Sequence, residues 1–341
     1  MSTTHPVRIA VDAMGGDYAP VEIVKGAVEA ADNHGIQVIM VGDRAVIERE
    51  LANVPTSVAK NVEVKHASEV VEMDEHPANA IRRKQDSSIV VAANLVSSGE
   101  AQAMVSAGNT GAAMAVATIK LGRIRGIDRP AIGAIIPTLN GKAVMLDGGA
   151  QVDCSVENLL QFAVMGSEYA EHVLKLPNPK IGLLSIGEEP SKGNELTKAA
   201  NAQLAQSRMN FIGNVEGKDI FRGAADVIVC DGFAGNIVLK VAEGTAEMML
   251  ATLKKEIGRS IACRMGVLLL SPALRRAKQK LDYAEYGGAP LLGVNGVCVI
   301  GHGRSDARAI RNAIRAAADA VENDVVKYIS ASVRQEEVAA R

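Results

Sequence analysis

Residues Ile9 to Pro20 read IAVDAMGGDYAP: an apolar run ends in Asp12, two glycines follow, and Asp17 precedes a proline. A buried strand entering a tight turn accounts for the first half. Pro20 suits the first turn of a helix from Val21 to Asn33, where its missing N–H would have no partner, and Gly35 can end that helix in the left-handed conformation. The unit is therefore strand, turn, helix, and its turn sets acidic residues on both sides of Gly15 and Gly16.

The same alternation recurs. Short apolar or β-branched runs stand at Val7–Val11, Val38–Val41, Ala103–Ser106, Ala131–Ile136, Ala143–Leu146, Ile181–Ser185, Val227–Cys230 and Val297–Ile300, with helical stretches between them. This pattern implies an α/β fold with a mostly parallel sheet covered by helices. With no internal repeat and no Pro- or Ser-rich linker, residues 1–341 are expected to form a single domain.

At 48% hydrophobic and 22% charged residues the chain is globular, and 341 residues suffice for a large core. A net charge of -2 with 3% aromatic residues and no Trp argues against nucleic acid, which needs basic surface and stacking platforms. Cys154, Cys230, Cys263 and Cys298 form no CxxC pair, so the sequence calls for neither a zinc site nor a disulfide framework, and a reducing cytoplasm is expected. No apolar run reaches the length of a membrane span.

One region departs from the alternation. A long helix from Gly235 to Lys255 is followed by IACRMGVLLLSPALRRAKQK, residues 261–280, an apolar tip leading into a basic helix. Residues 250–285 are expected to form a protruding helical hairpin. It either packs in a core or dimer interface or lies at a lipid surface. In the second case Val267, Leu268, Leu269 and Leu270 would dip among acyl chains while Arg264, Arg275, Arg276 and Lys278 meet anionic headgroups or an acidic protein.

Glycine-polar turns cluster at the carboxyl ends of the strands, where open α/β sheets bind ligands. Besides Asp12–Asp17 they are SAGNTGA (106–112), LDGGAQVDC (146–154), IGEEPSKGN (186–194), CDGFAGN (230–236) and YGGAPLLGVNG (286–296). In the second of these turns Gly108, Asn109 and Thr110 lead into a helix start, which makes an anion cradle. A Walker A loop is excluded because Lys192 precedes Gly193, and no GxGxxG follows the first strand. Nor is there a GxSxG elbow or an HExxH pair. Ser305 is expected to cap the helix after His302. Asp12, Asp147 and Asp231 all fall at strand ends, where they could hold a metal or organise lysines and glycine turns.

Taken in order, VDAMGGDYAP, SAGNTGA, GEEPSKGN, FIGNVEGKDIF, CDGFAGNIVLK, YGGAPLLGVNG and HGRSDARAI resemble the phosphate acyltransferases of the PlsX type over nearly the whole chain. The resemblance implies transfer of a long acyl chain from acyl-(acyl carrier protein) to inorganic phosphate, giving acyl phosphate for phospholipid synthesis. It also implies a homodimer of three-layer α/β subunits similar to the isocitrate and isopropylmalate dehydrogenase fold; no cofactor and no metal ligand are assigned. Such a protein is cytoplasmic and lies against the inner face of the membrane, where a glycerol-3-phosphate acyltransferase takes the product. Gln151 stands where the family often has Asn.

Phosphate is already a nucleophile and a thiolate leaves with little help, so the chemistry asks for positioning and charge stabilisation more than for a triad. On that basis Lys192 is expected to bind phosphate or the oxyanion, with Asn194, Ser106, Asn109 and Thr110 as donors. Asp12 and Asp231 would order the glycine turns, and Asp147, Asn236 and Lys240 would face the same rim. Gly15 and Gly16 would admit the ligand, Asp17 would fix the turn, and His302 would protonate the leaving thiol. The competing readings are a scaffold that recruits carrier protein to membranes, and a short-chain acyltransferase or dehydrogenase of related fold.

Overall fold

The computed structural model describes residues 6–52, 54–55, 60–259, 265–267, 269–274, 276 and 285–339. β1 (Arg8–Asp12) leads through the glycine turn into α1 (Val21–His34), followed by β2 (Gln37–Gly42), α2 (Arg44–Leu51) and β3 (Val62–His66). α3 (Pro77–Arg83) and α4 (Ser88–Ser97) precede β4 (Ala103–Ser106) and α5 (Thr110–Lys120). β5 (Ala131–Thr138) and β6 (Gly141–Leu146) form a hairpin, and α6 (Val156–His172), β7 (Ile181–Leu184), α7 (Glu195–Leu204) and β8 (Phe211–Val215) come next. α8 (Gly217–Arg222), β9 (Val227–Val229) and α9 (Gly232–Gly258) precede β10 (Ala289–Leu292), β11 (Val297–Ile300), α10 (Ala307–Glu322) and α11 (Val325–Ala339).

The strands join one sheet in the order β3-β2-β1-β4-β11-β10-β5-β6-β9-β7-β8. Pairing is parallel from β3 to β11 and again from β6 to β8, while β10 is antiparallel to both its neighbours and β5 to β6. The two parallel sets consequently run in opposite directions. Helices cover both faces, as the period of two within β1 shows: Ile9 and Val11 pack with Ile23, Ala27, Ile310 and Ile314, whereas Ala10 packs with Ile39, Ile89, Met104 and Ala113. A third cluster around Met145, Ile228 and Ile220 lies under α8. A strand buried on both faces reads as a continuous apolar run, which is why these strands are legible as such.

Three strands lie outside the segments marked in the sequence, each for a local reason. β3 is an edge strand reading VEVKH, with charged residues on its exposed side. β8 carries Gly213 at φ 98°, and its pairing with β7 shifts register there. β10 contains Pro290, and a proline within a run ordinarily argues against a strand.

α1 ends as expected, with Gly35 at φ 64°. It packs closely on α10, where a Cβ on Gly26 would stand 2.4 Å from the Ala307 carbonyl and 2.7 Å from Ile310 Cβ. α9 is longer than the sequence pattern implied and buries only Gly232 and Gly235, leaving Met248, Met249, Leu250 and Leu253 exposed. Of the residues assigned to the hairpin, Arg264, Leu268, Arg275 and Lys278 lie outside the described residues. Val267, Leu269, Leu270 and Arg276 are helical, with Leu269 86% and Leu270 58% exposed. Among the described residues no helix is long and apolar enough to cross a membrane.

Replacing Gly26 by Ala forces the α1–α10 contact apart and should cost about 2 kcal/mol or more, because the obstacle is main chain that cannot rotate away. Urea unfolding measures it; an unchanged midpoint would mean that this contact is not rigid.

Candidate functional site

The strand-end turns assemble into three groups. In the first, the turns after β1, β4 and β11 are stitched together around Asp12. The Asp12 carboxylate is buried, with Oδ2 accepting from Ser106 Oγ at 2.7 Å and Oδ1 from Met14 N at 3.3 Å. Burial raises its pKa above the usual carboxylate range, opposed by hydrogen bonds from Ser88, Ser106, Met14 and Gly15. A Cβ on Gly15 would stand 2.5 Å from Asp12 Oδ2 and 3.0 Å from Gly108 Cα, so glycine is required for the two turns to touch. Gly16, at φ 115°, fits between the carbonyls of Ala107 and Gly303, and Asp17 N donates to Gly303 O at 2.8 Å.

Asn109 caps α5, its Oδ1 accepting from Ala112 N at 3.0 Å, while Nδ2 donates to the carbonyls of Met73 and Glu75, both at 2.9 Å. Ahead of that cap the N–H groups of Thr110 and Gly111, like that of Gly16, have no acceptor among the described residues. They form an open positive end of a helix. His302 Nδ1 accepts from Arg304 N at 3.2 Å, so the neutral ring carries its hydrogen on Nε2. The cap of α10 is Asp306, not Ser305: Asp306 Oδ1 accepts from Ala309 N and Glu22 Oε2 from Ala307 N, which fills that helix start with carboxylates. Ser305 is buried, and its hydroxyl has no hydrogen-bond partner among the described residues.

The second group lies at the ends of β6 and β9. Asp147 is fully buried and accepts from Ile132 N, Gly149 N, Ala150 N and Gln151 N at 2.6–3.2 Å. Burial pushes its pKa up, and the same four N–H groups oppose that shift. Asp231 caps α9 through Ala234 N at 2.8 Å, Gly232 N donates to Gln151 O at 2.8 Å, and Asn236 lies beside Gly149. Lys240 sits two turns into α9 with its ammonium on Glu243 at 2.8 Å. Desolvation raises the Cys154 thiol to about 11 and Cys230 well above its ordinary value, so both stay protonated near neutrality. The amide hydrogens of this turn are already taken by Asp147, and an anion would find few donors here.

Lys192 and Asn194 belong to the third group, after β7. Asn194 Oδ1 accepts from Thr197 N at 2.8 Å as the cap of α7, and Gly193 takes φ 102°. The alkyl stem of Lys192 lies over Gly187, and its ammonium has no partner among the described residues. Carboxylate oxygens of Glu188, Glu216 and Asp219 lie within 4.8 Å of one another nearby. Among the described residues no hydrogen bond or ion pair joins this group to the other two. Groups one and two border a common core instead, since Ala150 packs against the cluster that holds Ala112 and Ala113.

Pairing registers set the spacing of those two groups. Met104, Cys298, Leu291 and Ile132 share one row across the sheet, and Asp147 binds the Ile132 N–H at the end of that row. Asp147 is therefore four strands from β4, roughly 19 Å at about 4.8 Å per strand. Ser88 joins Asp12 without any signal in the local sequence, since DSSIVV reads only as a helix start.

An open, mostly parallel α/β sheet with ligand-competent glycine turns at its strand ends defines a small-molecule-binding α/β protein. Its fold matches the phosphotransacetylase from Streptococcus pyogenes with TM-score 0.63 at 17% identity, covering 93% of this chain and 94% of that one. EutD phosphotransacetylase from Staphylococcus aureus gives 0.60 at 15%, with the same coverage. In sequence, residues 7–328 match the family model described as Fatty acid synthesis protein. The chain is 53% identical over 332 residues to a phosphate acyltransferase from Pelotomaculum thermopropionicum, covering 97% of this chain and 96% of that protein. A phosphate acyltransferase from Heliobacterium modesticaldum is 54% identical over 323 residues, at 95% and 96% coverage. The chain belongs to the phosphate acyltransferase family.

Removing the Asp147 carboxylate strands the buried N–H of Ile132 and the partly buried N–H groups of Gly149, Ala150 and Gln151. Asp147→Ala should lower stability by about 3 kcal/mol, read as the shift of the denaturant midpoint. A loss below about 1 kcal/mol would mean that the turn does not depend on this acceptor.

Proposed function

We propose that this chain transfers a long-chain fatty acyl group from acyl-(acyl carrier protein) to inorganic phosphate, forming acyl phosphate for phosphatidic acid and phospholipid synthesis. The observation that carries the reading is the open start of α5: among the described residues the N–H groups of Gly16, Thr110 and Gly111 have no acceptor, beside the Asp12–Ser106 pair, in a chain of this family. Helix starts of this kind favour phosphate.

In this reading a phosphate oxygen attacks the thioester carbon, forming the C–O bond of a tetrahedral intermediate whose collapse breaks the C–S bond. The proton of the hydrogen phosphate hydroxyl ends on the departing sulfur, His302 giving its Nε2 hydrogen to the sulfur and taking the phosphate proton back on the same nitrogen. Lys192 supplies the mobile charge for phosphate or the oxyanion, and Asn194 keeps Nδ2 as a donor because its Oδ1 is committed to α7. Since no hydrogen bond or ion pair joins this loop to the first group among the described residues, the reading requires that the residues around Gly193 move toward it. Asp12, Gly15, Asp17, Gly108 and Asn109 hold the turn in shape, and Asp147, Asp231 and Asn236 form the opposite wall.

The same reading makes the protein a cytoplasmic homodimer that rests on the inner face of the membrane and hands its labile product to a membrane glycerol-3-phosphate acyltransferase. What supports it is the exposed apolar surface of Leu269, Leu270 and the outer half of α9.

Incubation with palmitoyl carrier protein should release free carrier thiol only when phosphate is present, with hydroxylamine trapping the product as a hydroxamate; release independent of phosphate would sink the reading. Lys192→Ala should lower kcat/KM about 100-fold while leaving the fold intact by circular dichroism, and wild-type turnover would remove Lys192 from the mechanism. Leu269→Glu with Leu270→Glu should abolish flotation with anionic liposomes and spare turnover in solution. Unchanged flotation would assign this surface to protein packing.

A further inference from the structure

We infer that the basic ends of α3 and α5 form the docking surface for an acidic carrier domain that presents the acyl thioester on a phosphopantetheine arm. The inference rests on the acyl-transfer reading above and adds where the donor protein binds. α3 lies along α5. At one end a Cβ on Gly111 would stand 2.8 Å from Pro77 Cγ, and at the other Lys120 Nζ donates to Gln85 Oε1 at 3.3 Å. α3 thus begins at the open start of α5 and ends with Arg82 and Arg83.

Both arginines are exposed, and neither has an ion-pair or hydrogen-bond partner among the described residues. The neighbouring carboxylates are committed elsewhere: Glu75 is paired with Lys84 at 2.6 Å, and Asp86 Oδ2 accepts from Ser68 N and Oγ at 2.9 and 2.6 Å. Arg82, Arg83 and Lys120 consequently project positive charge from a chain whose net charge is -2. A surface of this kind attracts an acidic partner and sets its approach.

The geometry suits an arm. Arg82 and Arg83 stand five and six residues along α3 from Pro77, which lies at the start of α5, about 8–9 Å at a rise of ~1.5 Å per residue. An extended phosphopantetheine reaches roughly 18 Å, comparable to about five extended residues. A carrier seated on Arg82 and Arg83 can therefore lay its thioester at Thr110 and Gly111 with slack. A coenzyme A thioester carries the same arm without the protein, and it separates docking from arm binding.

The test is the double variant Arg82→Glu, Arg83→Glu in the full chain, assayed with palmitoyl carrier protein and with palmitoyl coenzyme A. Expected is a rise of roughly tenfold in KM for the carrier-bound donor, loss of its salt dependence, and little change in kcat, in KM for phosphate or in KM for the coenzyme A donor. Calorimetric titration with holo carrier protein should show the same loss of affinity without turnover, and Arg82→Lys with Arg83→Lys should restore it. An unchanged carrier KM and affinity would overturn the inference, as would an equal rise for both donors, or a loss of anionic-vesicle binding with carrier affinity retained. If the wild-type chain turns over neither donor, the acyl-transfer reading fails, and the titration still decides the docking surface.

Discussion

A carboxylate buried at the end of a strand must be met by donors, and in this protein that demand shapes the loops on which function depends. Asp12 and Asp147 stand in equivalent places, each after an apolar strand and before a pair of glycines, and burial raises both pKa values. Their solutions differ. Asp147 draws four N–H groups onto itself and closes its own turn. Asp12 is met largely by the hydroxyls of Ser88 and Ser106, so the nearby amide hydrogens of Gly16 and the start of α5 remain available. One motif type thus yields a turn closed on its own carboxylate in one half and a turn with open amide hydrogens in the other.

The reversal of the sheet bears on where these two turns lie relative to each other. β10 and the β5–β6 hairpin turn the second parallel set round, which would ordinarily send its strand ends to the far side. The register prevents this: β5 begins level with Ala103 and Met104 of β4, so Asp147 comes to rest only about two residues short of Ser106 along the strand direction. Gly235 completes the fit, because a Cβ there would meet the Asp147 carbonyl at 1.9 Å, and it lets α9 leave the body directly from that turn.

How much of this could be read from the sequence follows from which forces are local. The opening strand, the glycine turn and α1 are written in neighbouring residues, and so are the apolar runs buried on both faces. β10 is not, since Pro290 speaks against a strand until its neighbours are known. Site residues divide the same way. That Asp12, Asn109, Asp231 and Asn194 sit at strand ends or helix starts is local; that the last three spend their side-chain oxygens on caps depends on the helix that follows. Ser305 looks like a cap, yet Asp306 one residue later takes the role and leaves Ser305 buried. Lys240 is drawn to Glu243 by a helical spacing of three, which the turn-by-turn reading overlooked.

The distribution of free donors then decides which chemistry the chain can support. Cys154 and Cys230 are held as thiols by desolvation, so covalent catalysis through either of these two sulfurs is disfavoured. The start of α10 is filled by Asp306 and Glu22, and the turn of the second group by Asp147. Among the described residues, the amide hydrogens at the start of α5 and the charges of Lys192, Arg82 and Arg83 have no partner. These groups suit holding an anion and donating to an oxyanion. A reaction whose nucleophile arrives already anionic and whose leaving group is a thiolate asks for no more than that.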